Sequence, residues 1–181
     1  KLISIASLIE YRHQRDQLIE KLSESDFKTK SGVFRLHAFR SVLDHRMHYA
    51  LTIGNPSADS STLVRVQTAD VLVDALGLIK GESSSNFIEK TLSALSREGS
   101  GVLLYMEPRR PDLQDSSKKP RDPDSLDHPK MDFRDYGIGA QILVALGLKK
   151  LKLLSRDHRK VVGLEGYGLE ISDRILFSEL S

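Results

Sequence analysis

Hydrophobic residues along the chain change their spacing several times, and each change marks an element. In residues 4–22, Ile5, Leu8, Ile9, Ile19 and Leu22 fall on one helical stripe opposite a charged face, with Ser4 at the N-cap position. The spacing then shortens to two. Residues 33–39 alternate as a strand does, residues 49–53 read likewise, and Leu63–Val66 is a short run rich in β-branched side chains. Residues 86–97 return to the helical period. Ile88, Leu92 and Leu95 share a face there, Asn86 and Glu89 form a capping pair, and Gly99 follows as the stop. Gly101–Met106 is continuously apolar between breakers, as a strand covered on both faces would be.

Residues 107–131 lose all periodicity. Five of the six prolines fall there, and the basic and acidic residues cancel. Such a stretch buries too little apolar area to offset its ordering entropy, so it reads as a long mobile loop. Regular pattern resumes with a helix over 134–146, in which Ile138, Ile142 and Leu146 are in register and Gly147 is the stop. A strand at Leu151–Leu154, a short helix around Arg159 and a strand at Gly168–Ile171 complete the pattern. Strand, helix, strand, helix, strand predicts an α/β layered domain with a mixed central sheet flanked by helices. The predicted organisation is a linker helix over 1–24 and one domain over 25–181.

Composition changes this picture little. With 181 residues, the chain is long enough for one sizeable core. Its 27 Lys and Arg against 25 Asp and Glu give a formal charge of +2, which offers no footprint for nucleic acid. No apolar run approaches the roughly 20 residues that span a bilayer. Glu10, Arg12, Arg15 and Asp16 interrupt the start too early for a signal peptide, so a cytoplasmic setting is expected. The first residue is Lys1, and the chain runs at once into an amphipathic segment, which reads as a piece of a longer polypeptide. The absence of cysteine has the sharpest consequence: disulfides, thiolate metal ligands and cysteine nucleophiles are excluded.

Two long stretches carry a resemblance. Asp132-Phe133-Arg134-Asp135-Tyr136-Gly137-Ile138-Gly139-Ala140-Gln141-Ile142-Leu143 and Gly163-Leu164-Glu165-Gly166-Tyr167-Gly168-Leu169-Glu170-Ile171 resemble, in order and spacing, two signatures of the GTP cyclohydrolase II family. Leu63-Val64-Arg65-Val66 is similar to the family's "VRVHSEC" entry, and Glu98-Gly99-Ser100-Gly101-Val102-Leu103-Leu104-Tyr105 to its "EGRGVLLYL" strand. Residues 3–12 are similar to the linker of fused riboflavin-biosynthesis proteins, in which a dihydroxybutanone phosphate synthase precedes the cyclohydrolase domain.

The resemblance implies a zinc enzyme that opens the imidazole ring of GTP and cleaves its triphosphate. A catalytic zinc needs three protein ligands and an open position for the water it activates. The family's three ligands are cysteines, and the matching positions hold Asp70, Gly81 and Ser83, with Gln67 and Ala69 where its His and Glu stand. That set predicts no zinc and no other cofactor. His37, His45, His48 and Asp70 are the only conceivable substitutes, and no two of the histidines share the i, i+4 spacing of a helical metal site. The family's phosphate-handling loop aligns with Arg109, Arg110 and Pro111 and then dissolves into the proline-rich stretch.

Other polar positions match. Asp132 and Arg134 stand where the family has a proton acceptor and a phosphate-attacking arginine, and Arg65, Ser155 and Lys160 stand where it contacts nucleotide. Structural roles compete with each. Asp132 is also a helix N-cap, which stabilises by about 0.5–2 kcal/mol without substrate. Arg134 is harder to assign to structure, because a cation in a first turn opposes the helix dipole. The signature glycines Gly137 and Gly139 lower helix propensity, and close backbone packing would compensate.

The function predicted from these residues is a non-catalytic cyclohydrolase-like domain that dimerises or supports a fused dihydroxybutanone phosphate synthase. Residual cyclohydrolase or pyrophosphohydrolase activity is one alternative. A regulatory domain that binds a nucleotide or anion weakly is another. A homodimer is expected from the resemblance, with neither nucleic acid nor membrane as partner.

Overall fold

The structure is a computed structural model and describes residue 11 and residues 15–75, 87–109, 133–155 and 164–179. Seven strands form one sheet: β1 (Ile19–Thr29), β2 (Gly32–Ser41), β3 (Met47–Ile53), β4 (Ser61–Thr68), β5 (Gly101–Met106), β6 (Lys150–Ser155) and β7 (Glu170–Leu176). Their order across the sheet is β1-β2-β3-β5-β4-β6-β7. From β1 to β5 neighbours run antiparallel, whereas β5, β4, β6 and β7 are parallel to one another. The helices among the described residues that pack with them are the single turn α1 (Val71–Asp74), α2 (Phe87–Glu98) and α3 (Phe133–Ala145). This is the mixed α/β sheet expected from the sequence.

Each face of the sheet buries its own cluster. On one, Phe39, Ala50, Val64, Val102, Leu104 and Met106 pack against Ile138, Ala140, Ile142 and Leu143 of α3. On the other, Phe34, Leu63, Leu103 and Leu154 pack against Ala94 and Leu95 of α2. The continuous run Gly101–Met106 follows from this layering. β5 lies mid-sheet, so Val102 and Leu104 serve the α3 face while Leu103 serves the α2 face.

The helix stops stand where expected. Gly99 and Gly147 both take positive φ after α2 and α3, a conformation that favours glycine. Gly139 shows why a residue of low helix propensity is kept inside α3. A Cβ there would press on the Met106 sulfur at 3.3 Å, so the bare backbone lets helix and sheet approach.

Two expectations are corrected. The helix over 4–22 cannot extend to Leu22, because β1 already begins at Ile19, and the boundary at residue 24 falls inside that strand. Tyr11 and Arg15 are helical, and the rest of the segment before Arg15 lies outside the described residues. The last strand runs from Glu170 to Leu176, later than the expected Gly168–Ile171, because a 3-10 turn at Glu165–Tyr167 and the positive φ of Gly168 precede it. The helix around Arg159 and residues 110–131 lie outside the described residues.

A glutamine of the signature fastens the chain ahead of β1. The Gln141 side-chain carbonyl accepts from the Leu18 amide, and its amide donates to the Asp16 carbonyl, both at 2.8 Å. Two backbone groups over 120 positions away are satisfied by one side chain. Gln141→Ala is therefore expected to destabilise the fold by about 1–3 kcal/mol, since each net hydrogen bond contributes about 0.5–1.5 kcal/mol. Urea denaturation measures the loss. In hydrogen exchange the Leu18 amide should accelerate while amides of β5 stay slow; uniform protection would contradict this role.

Candidate functional site

In open α/β sheets, ligands bind beyond the carboxyl ends of parallel strands. Here that edge is formed by the ends of β4, β5 and β6, at Thr68, Met106 and Ser155. Of the residues singled out from sequence, Gln67, Ala69, Asp70, Arg109 and Ser155 come from this edge, and exposed Arg134 comes from the first turn of α3. Asp132, Lys160, Gly81 and Ser83 lie outside the described residues.

A buried ion cluster secures the approach to Arg134. The next residue, Asp135, is buried and accepts from Arg46 Nη2 at 2.6 Å. Arg46 also donates through Nε to Asp44 at 2.8 Å and through Nη1 to the Glu107 carbonyl at 2.8 Å. The Glu107 carboxylate in turn accepts from the Met47 amide. Arg109 reaches Asp44 at 3.8 Å. Burial alone would lower the Arg46 pKa, but the carboxylates of Asp135 and Asp44 outweigh it, and the guanidinium is held charged. The cluster thus fixes the first turn of α3 to the end of β5 and the β2–β3 turn.

Within the same region, His48 is fully buried between Phe39 and Met106 in register. Neither ring nitrogen has a hydrogen-bond partner among the described residues. Burial, and then the Arg46 charge, push its pKa down to about 4 against the pull of the nearby carboxylates.

A second network lies at the β4 end, on the α2 face of the sheet. Asp74 accepts from the Tyr105 hydroxyl at 2.8 Å, the Asp70 amide at 2.8 Å and the Gln67 side-chain amide at 3.0 Å. Burial and the Asp74 carboxylate raise the Tyr105 pKa well above its usual value, so the phenol remains a proton donor. Arg65 joins through Nη2 to the Gln67 carbonyl at 3.4 Å, and its Nη1 donates to the Leu154 carbonyl at 3.1 Å. Its guanidinium also lies 5.2 Å from the centroid of the Phe177 ring. Arg65 is accordingly buried in protein contacts at this edge.

The histidines do not converge. His37 sits at the far end of the sheet, where Nε2 lies 3.1 Å from Thr52 Oγ1 and Nδ1 lies 3.3 Å from Glu24. It lines a cavity of about 370 Å³ with Arg35, which is paired to Asp26 at 2.9 Å. His45 occupies the β2–β3 turn with φ 57°. Among the described residues, no three His, Cys, Asp or Glu side chains gather as a metal-binding group.

Arg46, Asp74 and Tyr105 were not singled out from sequence. Asp44 and Arg46 pair locally within the β2–β3 connection. Nothing local linked Arg46 to Asp135, 89 residues away, or Asp74 to Tyr105, 31 away.

Comparison with known proteins places these features in a family. Residues 20–176 match the family model described as GTP cyclohydrolase II. The chain is 37% identical over 188 residues to a riboflavin biosynthesis protein RibBA of Aquifex aeolicus, covering 97% of this chain and 46% of that protein. A RibBA of Chlorobium phaeovibrioides is 36% identical over 186 residues, with 97% and 45% covered. The chain therefore spans about half the length of the curated relatives it matches. Among solved structures, RibBX of A. baumannii, a two domain 3,4-dihydroxy-2-butanone 4-phosphate synthase, superposes with a TM-score of 0.61. It is 26% identical, with 95% of this chain and 44% of that one covered.

Proposed function

This chain belongs to the GTP cyclohydrolase II family, and from that premise we propose that it is a non-catalytic member: a domain that supports or dimerises a dihydroxybutanone phosphate synthase. The observation that carries the proposal is the donor set. A hydrolytic zinc of this family requires three thiolates, and the sequence contains no cysteine. Of the three matching ligand positions only Asp70 lies among the described residues, a lone carboxylate where the family has a thiolate. Where the family has its His and Glu, the Gln67 amide is engaged by Asp74 and Arg65 and Ala69 offers no donor. The residues present do not fit the metal.

Two further observations agree. Arg65, one of three residues expected to contact nucleotide, directs both terminal nitrogens to protein acceptors. RibBX, whose fold this chain shares, is a two domain 3,4-dihydroxy-2-butanone 4-phosphate synthase.

The test begins with metal analysis of the purified protein and with GTP turnover. Zinc well below one equivalent and no formate above background are expected. Stoichiometric zinc with ring-opened product would sink the proposal. Formate or pyrophosphate released from GTP, and lost on Arg134→Ala, would establish a working enzyme instead. Calorimetry with GTP at millimolar concentration should show no saturable heat; a saturable isotherm would favour a nucleotide-binding regulatory domain. For the supporting role, synthase activity and oligomeric state of the longer protein should both fall when this domain is removed. Unchanged values would remove that role.

A further inference from the structure

Three donors converge on one carboxylate at the end of β4. Asp74 Oδ2 accepts from the Asp70 amide and the Tyr105 hydroxyl, and Oδ1 accepts from the Gln67 side chain. The chain of bonds continues from Gln67 to Arg65 and from Arg65 to the Leu154 carbonyl. Gln67 can relay between the two charges because its amide offers both a donor and an acceptor. The carboxyl ends of β4, β5 and β6 are thereby tied together by side chains from two of the strands, the Leu154 carbonyl and the Asp74 carboxylate.

A zinc ion bound here would do two separable things: order the backbone that carries its ligands and activate a water. We infer that the Asp74 network does the first without the second, as a metal-free pin for residues 67–74 that stands in for the zinc this family implies. The inference rests on the reading that this domain holds no zinc. Backbone bonds support it. The Asp70 carbonyl accepts from the Val73 amide at 3.1 Å and the Asp74 amide at 2.6 Å, while the Ala69 amide donates to the Met106 carbonyl at 2.7 Å. The segment from β4 into α1 is therefore held at both ends, with the Asp74 carboxylate closing the turn onto itself. Charge makes the pin strong, since bonds to an ionised carboxylate are roughly twice as strong as neutral ones. The same network gives Arg65 a role that needs no nucleotide: it anchors Gln67 to β6.

Native-state hydrogen exchange on this chain tests the pin. Asp74→Ala should accelerate exchange of the Asp70 amide at least tenfold while leaving the Ala50 and Leu104 amides of the opposite face unchanged. Tyr105→Phe and Gln67→Leu, which each remove one donor and keep the apolar packing, should accelerate it several-fold. These milder variants decide the matter if Asp74→Ala does not fold. Unchanged exchange in both would overturn the inference. So would recovery of slow exchange in Asp74→Ala on adding one equivalent of zinc, because the site would then accept the ion in place of the carboxylate. Zinc content of the unaltered protein decides the preceding proposal; the exchange rates of the variants decide this one.

Discussion

Arg46→Met is expected to destabilise the protein by about 3–5 kcal/mol, the range for removing one partner of a buried ion pair. Only 7% of the Arg46 side chain is exposed and 9% of Asp135, so water cannot replace the lost contact. Three acceptors lose a donor together: the carboxylates of Asp135 and Asp44 and the carbonyl of Glu107. The Asp135 carboxylate then remains buried without its cation, and that desolvation accounts for most of the cost. Against a total stability of about 5–15 kcal/mol, this is a large fraction. Adding Asp135→Leu to Arg46→Met should recover at least half of the loss, since buried pairs are often replaceable by apolar side chains. Urea denaturation of the single and double variants supplies the numbers. A loss below about 1 kcal/mol in the single variant would show that the cluster is more solvated than its burial indicates.

Acid should expose the second large effect, at His48. Its folded-state pKa of about 4 lies below the ordinary imidazole value of 6.5, so the unfolded chain takes up the proton first. Stability is then complete above pH 6.5 and falls as the pH drops through that value towards 4. The full difference is on the order of 3 kcal/mol, of which about 2 kcal/mol should already be gone at pH 5. Between pH 6.5 and 5 most carboxylates stay ionised, but His37, whose pKa burial also lowers, contributes over the same interval, so the His48 share is read only against a variant. Denaturation midpoints of the protein and of His48→Leu, compared at pH 7 and pH 5, isolate this group. The variant should lose markedly less than the unaltered chain over that interval. Equal losses would assign the acid sensitivity elsewhere.

Most of the fold was legible because its central elements repeat at fixed periods. β5 is apolar on both faces, and α2 and α3 end at glycines whose positive φ the sequence marked in advance. The edge strand β1 was misread for a physical reason. Of its residues only Ile19 is buried, so no alternation survives. What remains is a row of charges, Glu20 with Arg40, Lys21 with Glu24 and Asp26 with Arg35, whose sequence imitates the polar face of a helix. β7 was placed too early for a similar reason, being an edge strand with charged Asp173 and Arg174 in its middle.

The candidate site was legible in a different sense. The resemblance pointed to Arg65 and Ser155, which the fold brings to the carboxyl edge of β4 and β6, and the lack of cysteine excluded thiolates. It could not show that Arg65 turns inward, because burial of a guanidinium depends on Leu154 and Phe177, distant along the chain. Nor could it reveal Asp74, whose three donors come from β4, the following bend and β5.

The split character of the sheet sets the order in which it can assemble. β1, β2 and β3 meet through short turns, so their pairing closes small loops and can form early. The parallel pairing of β4 with β6 joins Ser61 to Lys150 and must wait for a far longer closure. Rates of folding fall as such non-local contacts dominate. Equilibrium is less sensitive, because doubling the length of a closed loop costs only about 0.6 kcal/mol. The chain between β5 and α3 can therefore lengthen or shorten among relatives at little thermodynamic expense, while the speed of acquiring the parallel half depends on how soon β6 arrives.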